Sequence, residues 1–369
     1  MVNNVVLIQE VLHGLKNFSS TGKSAFVGLD GYIDKIQHPV QFQKVDGNIY
    51  FPTLSEFGRK ITAAANQSAQ IELYTQLTKL GGNAPIMANA LASLEVPNTC
   101  LGTLGHPDIH PIFRDIDSRS ELISVGQAAE TNALEFNDGK LILSELSTFS
   151  TLDWEAVKQK IDLKYVRDKV NKAKLIALVD WCNLPHATSI WQGMLDDVIS
   201  TQKLEGIQFF FDLTDPSKKS SDEVLAVLKL MGDYKPHGSV TMGLNENETH
   251  KLFGLLNKKG DERDLMAKGH YIFETTKIDR LVVHPIDQCI VFETGRSYSI
   301  KGRLVSKPKV TTGGGDNFNA GYSLGLLYGF PTEHCMVLAM ATSGSYVTNG
   351  MSPEIKDVIG YLNDWLQGI

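Results

Sequence analysis

The stretch Val310-Thr311-Thr312-Gly313-Gly314-Gly315-Asp316-Asn317-Phe318-Asn319-Ala320-Gly321-Tyr322 concentrates the chemistry of this 369-residue chain. Three glycines permit a tight turn that leaves backbone N–H groups uncovered, and Phe318, Tyr322, Leu324 and Leu327 then recur at helical spacing. A helix is therefore expected to begin at or near Asp316. Unpaired N–H groups and the positive end of the helix dipole make such a junction a cradle for a phosphate. A carboxylate there would be repelled by a resting phosphate, so its place suits a group that takes a proton from a hydroxyl attacking that phosphate. The helix end also favours the ionised form of Asp316 at neutral pH. The plain structural alternative is an aspartate N-cap on a flexible glycine loop.

Three further clusters carry groups of matching chemistry. Gly28-Leu29-Asp30-Gly31-Tyr32-Ile33-Asp34 follows the first expected strand, Ala25 to Gly28, and offers two carboxylates as acceptors for sugar-like hydroxyls. Leu80-Gly81-Gly82-Asn83 precedes a helix rich in small residues, where the glycines allow close approach and Asn83 offers a donor and an acceptor. Gly243-Leu244-Asn245-Glu246-Asn247-Glu248 opens a helix after a strand, and Asn245 and Glu248 share a face there. An amide and a carboxylate at one point suit Mg²⁺ that is bound to phosphate and reached through water; a capping box gives the same spacing for structural reasons.

These stretches, in this order, resemble the PfkB (ribokinase-like) family of carbohydrate kinases. The C-terminal signature, D-T-x-G-A-G-D in the family, stands here as Val310 to Asp316 with valine in the first position. The N-terminal signature, G-G-N-x-x-N-x-A, is matched from Gly81 to Ala88 with Ile86 in place of the second asparagine. Asn245 to Glu248 matches N-x-x-E. The resemblance implies an α/β, three-layer αβα fold with a mostly parallel central sheet and a small β-sheet lid. It implies transfer of the γ-phosphoryl group of ATP to a hydroxyl of a sugar or sugar-like molecule. Asp316 would be the general base and Gly313, Gly314 and Gly315 the anion hole. Asp30, Asp34, Gly81, Gly82 and Asn83 would hold the acceptor, and Asn245, Thr312, Gly313 and Gly315 the nucleotide. Glu248 would hold Mg²⁺ through water. Relatives place an aspartate at Val310 that helps to bind a monovalent cation; valine offers no ligand, which counts against potassium activation. His284 stands where many relatives have the threonine of a nucleotide-contacting turn, and that turn lacks its glycines here.

The elements that must position these groups can be read in outline. Residues 1–24 are expected to form an N-terminal helix and turn, and residues 25–369 the main domain, with lid segments near 37–58 and 131–146. In the second of these, Asn137-Asp138-Gly139 is a strong hairpin signal. The first is expected to hold short strands. Such lids cover the sugar in the family and often mediate dimers. From Asp153 onward helix and strand alternate, the signal of a parallel sheet with crossover helices, beginning with a helix from Asp153 to Val170. Gly22-Lys23-Ser24 looks like the end of a Walker loop but precedes the strand it should follow and is read as a turn.

Composition bounds the rest. A net charge of −7 and no run of five or more basic residues argue against a nucleic-acid partner. No apolar run reaches membrane-spanning length, so a cytoplasmic protein is expected. Cys100, Cys182, Cys289 and Cys335 have neither metal-ligand nor disulfide-framework spacing and are expected as core thiols. No G-x-G-x-x-G follows a strand, which disfavours a dinucleotide oxidoreductase. Ile86, Val310 and the altered turn at His284 keep a sugar- or nucleotide-sensing protein without turnover as the alternative.

Overall fold

A computed structural model describes residues 4–16, 22–257 and 264–368. Strand β1 (Ala25–Gly28) leads into the long β2 (Tyr32–Lys44), which turns back through β3 (Gly47–Tyr50) and, after a helix at Leu54–Ala63, β4 (Leu73–Gly81). Next come β5 (Asn98–Gly102), β6 (Ser120–Ser124) and the hairpin of β7 (Ala129–Phe136) and β8 (Gly139–Glu145). Beyond it, β9 (Leu175–Leu178), β10 (Gln208–Asp212), β11 (Ser239–Asn245) and β12 (Arg280–His284) alternate with helices, and β13 (Gln288–Glu293) and β14 (Arg296–Lys301) follow.

Nine strands form the central sheet in the order β14-β13-β12-β11-β10-β9-β1-β5-β6, and only β13 and β14 run antiparallel to their neighbours. Parallel strands need crossover helices, and those helices cover both faces, so the inner strands β1, β5, β9, β10 and β11 are buried over nearly their whole length. Successive side chains point to opposite faces: Phe209 and Phe211 enter one core with the helices 187–193, 221–233 and 265–276. Phe210 enters the other, with the helices 4–16, 83–93, 314–327, 332–349 and 355–367. The three-layer fold expected from the resemblance is the one observed.

The second, smaller sheet sets β2 between β4 and β7, with β3 on the far end of β2 and β8 beyond β7. Its own core is a satellite cluster of Phe51, Phe57 and Leu134. Two features here depart from the sequence expectation. β4 belongs to this lid sheet, paired with β2 from Tyr32–Gly81 to Pro39–Leu73. Residues 54–63 are a helix, capped where Thr53 Oγ1 accepts from the Glu56 N–H at 3.2 Å. It forms because Phe57 fits between Phe51 and Phe136, with ring centroids 5.4 and 5.3 Å away.

Farther on, the expected single helix from Asp153 to Val170 is two, Trp154–Lys158 and Leu163–Lys172. Asp162 caps the second by accepting from the N–H of Lys164 at 2.9 Å, which makes a new start of what looked continuous. All four cysteines are buried thiols without disulfides. Lys23 lies at the start of β1, donates to the Leu327 carbonyl at 2.7 Å and sits over the Tyr328 ring, while the ligand-facing strand ends are at the opposite edge. Asn17, Ser19, Ser20 and Thr21, also part of that turn expectation, lie outside the described residues. No helix among the described residues is long and apolar enough to cross a membrane.

Candidate active site

Where the parallel strands end, β1 delivers Asp30, β9 delivers Asp180, β10 ends in Asp212 and β11 in Asn245. Asp30 is fully buried, and its carboxylate accepts from the backbone N–H groups of Asn83 at 2.6 Å and Ala84 at 2.7 Å. It thereby caps the helix Asn83–Ser93, whose preceding residue Gly82 has φ +99°. A Cβ at Gly82 would meet Asp30 Oδ2 at 2.8 Å, so glycine is required by both backbone conformation and space. The consequence is a fixed Asn83, whose Nδ2 donates to Asp316 Oδ1 at 2.8 Å. Asp34 lies on β2 between Lys79 of β4 and Thr131 of β7. A Cβ at Gly81 would come within 2.4 Å of its carboxyl group. Burial raises the Asp34 pKa; Lys79, a hydrogen bond from Thr131 and Lys140 oppose that.

On the other side of the cleft, Gly313 has φ +94° and turns the chain into the helix Gly314–Leu327, with Asp316 in its first turn. The Gly314 N–H bends back to the Thr311 carbonyl at 3.2 Å and the Asn317 N–H reaches the Gly313 carbonyl at 3.1 Å. Gly315 and Asp316 are then the first-turn residues whose N–H groups face outward without an intrahelical acceptor. Tyr346 braces the loop: its hydroxyl donates to the Thr312 carbonyl at 2.7 Å and would lie 2.6 Å from a Cβ at Gly313. From the lid, Lys140 Nζ donates to Thr311 Oγ1 at 3.0 Å and Thr312 Oγ1 at 2.5 Å, and Lys79 Nζ lies 3.5 Å from the Thr312 carbonyl.

Electrostatically the cleft is dominated by carboxylates. Burial, and then the nearby charges of Asp212, Asp180 and Glu248, raise the Asp316 pKa well above the usual carboxylate range, against the Asn83 hydrogen bond. Desolvation and like charges thus act against the ionised form of Asp316 that the helix end was expected to favour. Asp212 accepts from Asn319 Nδ2 at 2.7 Å and the Thr214 N–H at 2.8 Å. Asn245 and Glu248 form a capping box, with Glu248 Oε2 accepting from the Asn245 N–H at 2.8 Å and Asn245 Oδ1 from the Glu248 N–H at 2.9 Å. Burial and Asp212 push the Glu248 carboxyl up to about 8. Such mutual repulsion among oxygen ligands fits a hard divalent cation. No three His, Cys, Asp or Glu among the described residues form a metal site by themselves.

The structure thus brings Asp30, Gly82, Asn83, Asp316 and Gly313 into one connected array, with Asp34 and Gly81 beside it on the lid. Asn245 and Glu248 stand at the next strand end and bond to each other and to none of these. Sequence reasoning left out Asp180 and Asp212, which are fully or nearly fully buried, and Lys79, Lys140 and Tyr346. Strand-end position marks the two aspartates; the lysines become visible only once the lid register is known. His284 stacks on Phe318 at 4.4 Å, and desolvation lowers its pKa to about 4, so it is neutral.

The family model described as prokaryotic ketohexokinase matches residues 11–365. The chain is 24% identical over 348 residues to the ketohexokinase of Haloferax volcanii, covering 94% of this chain and 92% of that protein. Ribokinase of Arabidopsis thaliana, solved with ribose and ATP, superposes with a TM-score of 0.65 at 16% identity, covering 92% of this chain and 98% of that one. A putative ribokinase II of Escherichia coli, solved with ATP and Mg²⁺, gives 0.64 at 10% identity, covering 93% and 99%. At such identities the solved structures establish the fold, which is that of the ribokinases.

Proposed function

This chain belongs to the prokaryotic ketohexokinase family, and we propose that it transfers the γ-phosphoryl group of ATP to a hydroxyl of a ketohexose. It is a carbohydrate kinase, a phosphotransferase with an alcohol acceptor. The observation that carries the mechanism is the 2.8 Å bond from Asn83 to Asp316, which joins the acceptor-side turn to the phosphate-side helix. A hydroxyl held by Asp34, Asn83 and the Gly81-Gly82 turn lies within reach of the Asp316 carboxylate, which accepts its proton as the oxygen attacks phosphorus. The outward N–H groups of Gly315 and Asp316, on the turn made by Gly313, face the charge that develops on the transferred group. Thr312 and Asn245 border the nucleotide. Because the transition state is loose, positioning and electrostatics carry the reaction.

Glu248, with Asp212 nearby, would hold Mg²⁺ through water, and the ion would supply charge neutralisation between the triphosphate and these carboxylates. Burial and the charges of Asp212, Asp180 and Glu248 disfavour the ionised form of Asp316, and a cation beside them would favour it. The lid excludes water, which would otherwise compete as nucleophile. Leu77 and Ile142, each half exposed, flank the β2 residue Ile36 and the β7 residue Ala133 on one face of the lid. That apolar row supports a homodimer formed through the lid, which sedimentation of wild type and Leu77→Lys would test.

A coupled ADP-release assay over ketohexoses, aldoses, pentoses, sugar acids and nucleosides tests the assignment. Ketohexose is expected to give the highest kcat/KM. If no acceptor releases ADP while sugar or nucleotide still binds, the protein is a sensor on the same fold.

A further inference from the structure

We propose that Lys79 and Lys140, contributed by two different lid strands, are the cationic wall of the phosphoryl site and grip the group in transit. The inference rests on the sugar-kinase reading and adds to it a role for side chains that no signature contains. Residues opposite one another in register share a face, so Lys79 of β4, Asp34 of β2 and Thr131 of β7 all look into the cleft, and Lys140 of β8 joins them. Both lysines end on the loop that precedes the anion hole, Lys140 on the Thr311 and Thr312 hydroxyls and Lys79 beside the Thr312 carbonyl.

Their partners are all uncharged. Among the described ion pairs neither lysine has a carboxylate partner, whereas Lys35, on the opposite face of the same sheet, is paired with Glu130 at 2.5 Å. Asp34 influences both from across the strands without closing an ion pair. Partial burial, and then the charge of Lys79, hold the Lys140 pKa below its usual value, while Glu135 and Asp34 oppose that. Two partly buried like charges that Asp34 and Glu135 offset only from a distance, with no ion pair closed, become more favourable when an anion arrives.

The opposite wall supplies amides and carboxylates, and its lysines act on those carboxylates, Lys218 on Asp180 and Lys251 on Glu248; the face of the phosphoryl group turned toward the lid is left to Lys79 and Lys140. Ammonium groups shifting from threonine oxygens to phosphoryl oxygens need only side-chain rotation, and their protons stay on nitrogen throughout. The acceptor oxygen forms its bond to phosphorus, the bond to the β-phosphate oxygen breaks, and ADP leaves with those electrons.

The test compares Lys79→Ala, Lys140→Ala, the double variant, Lys140→Arg and the control Lys35→Ala. Turnover is measured with ATP and a ketohexose. Calorimetry with sugar and Mg²⁺ present gives the affinity for AMP-PNP relative to ADP. Each alanine is expected to lower kcat by about 10- to 100-fold, since a charge-assisted hydrogen bond in the transition state is lost, with sugar KM changed less than about threefold. The preference for AMP-PNP should fall about tenfold in the double variant, Lys140→Arg should recover most of kcat, and Lys35→Ala should match wild type. Retention of kcat and of the nucleotide preference in the double variant would overturn the proposal. So would a loss confined to sugar KM, which would place the lysines on the acceptor. If wild type turns over no sugar, the kinase reading fails, while the AMP-PNP preference still decides the role of the lysines.

Discussion

The wall of the cleft built on the nine-stranded sheet is buried on both faces and ends in carboxylates, whereas the lid opposite leaves most of β4 and β8 exposed and points two lysines into the same space. The first wall can hold Asp180, Asp212 and Asp316 near one another because two large cores fix the strands and the helix that carry them. The lid's own core cluster, Phe51, Phe57 and Leu134, is far smaller than the two cores of the main sheet, so its position is cheaper to change. On the proposed reading the rigid side carries the base and the anion hole, while the movable side closes over the acceptor and brings Lys79 and Lys140 to the phosphoryl group.

The largest break in that division should come from Gly313→Ala. The residue sits at φ +94° and a Cβ would press on the Tyr346 hydroxyl at 2.6 Å, so the N–H groups beyond it are re-aimed. Turnover is expected to fall about 100-fold in the ADP-release assay, as for loss of an oxyanion-hole donor. Phe57→Ala tests the other side. Removing it from the lid core should cost the lid about 3 kcal/mol locally, raise sugar KM several-fold and leave global thermal unfolding nearly unchanged. A matching fall in global stability would show that the lid is part of the main cooperative unit.

A smaller effect would sharpen the account of the rigid wall. Burial pushes the Asp180 carboxyl up to about 6, against hydrogen bonds from Tyr32, Asn183 and Thr214. Its folded pKa exceeds the unfolded value, so between about pH 4 and 6 the folded state keeps a proton that the unfolded chain has released. Stability is therefore expected to fall as pH rises through that window, by on the order of 2 kcal/mol from this group. Urea unfolding at both ends of the window should show a shallower pH slope in Asp180→Asn.

The reach of the sequence follows the same division. Gly313 to Asp316, Gly81 to Asn83 and the Asn137-Asp138-Gly139 turn are legible because their chemistry is local: glycine conformations, a helix start and a tight hairpin. Asp180 and Asp212 are visible as strand-end aspartates, but their meeting with Asp316 is made by sheet order, which spacing does not reveal. Lys140 is hidden because it reaches Thr311 and Thr312 across 171 and 172 positions of chain. Ile71 to Leu77 reads as strand-like, but its place in the lid, like the helix 54–63, escapes for a different reason. Exposed on both faces through most of its length, β4 shows no burial periodicity, and the helix has one fully buried anchor, Phe57. The electrostatics of Asp316 differ from the sequence expectation because a helix dipole can be read from sequence and a ring of buried carboxylates cannot.

The central claim is that Asp316 removes the acceptor proton beside the open N–H groups of its own helix. Its most direct test is the kcat of Asp316→Asn with ATP and the best acceptor, measured together with AMP-PNP affinity and melting temperature. The expected result is a fall in kcat of about 1,000-fold or more, with nucleotide binding retained and the melting temperature equal or higher because a buried like charge is gone. A variant that turns over within about tenfold of wild type would contradict it.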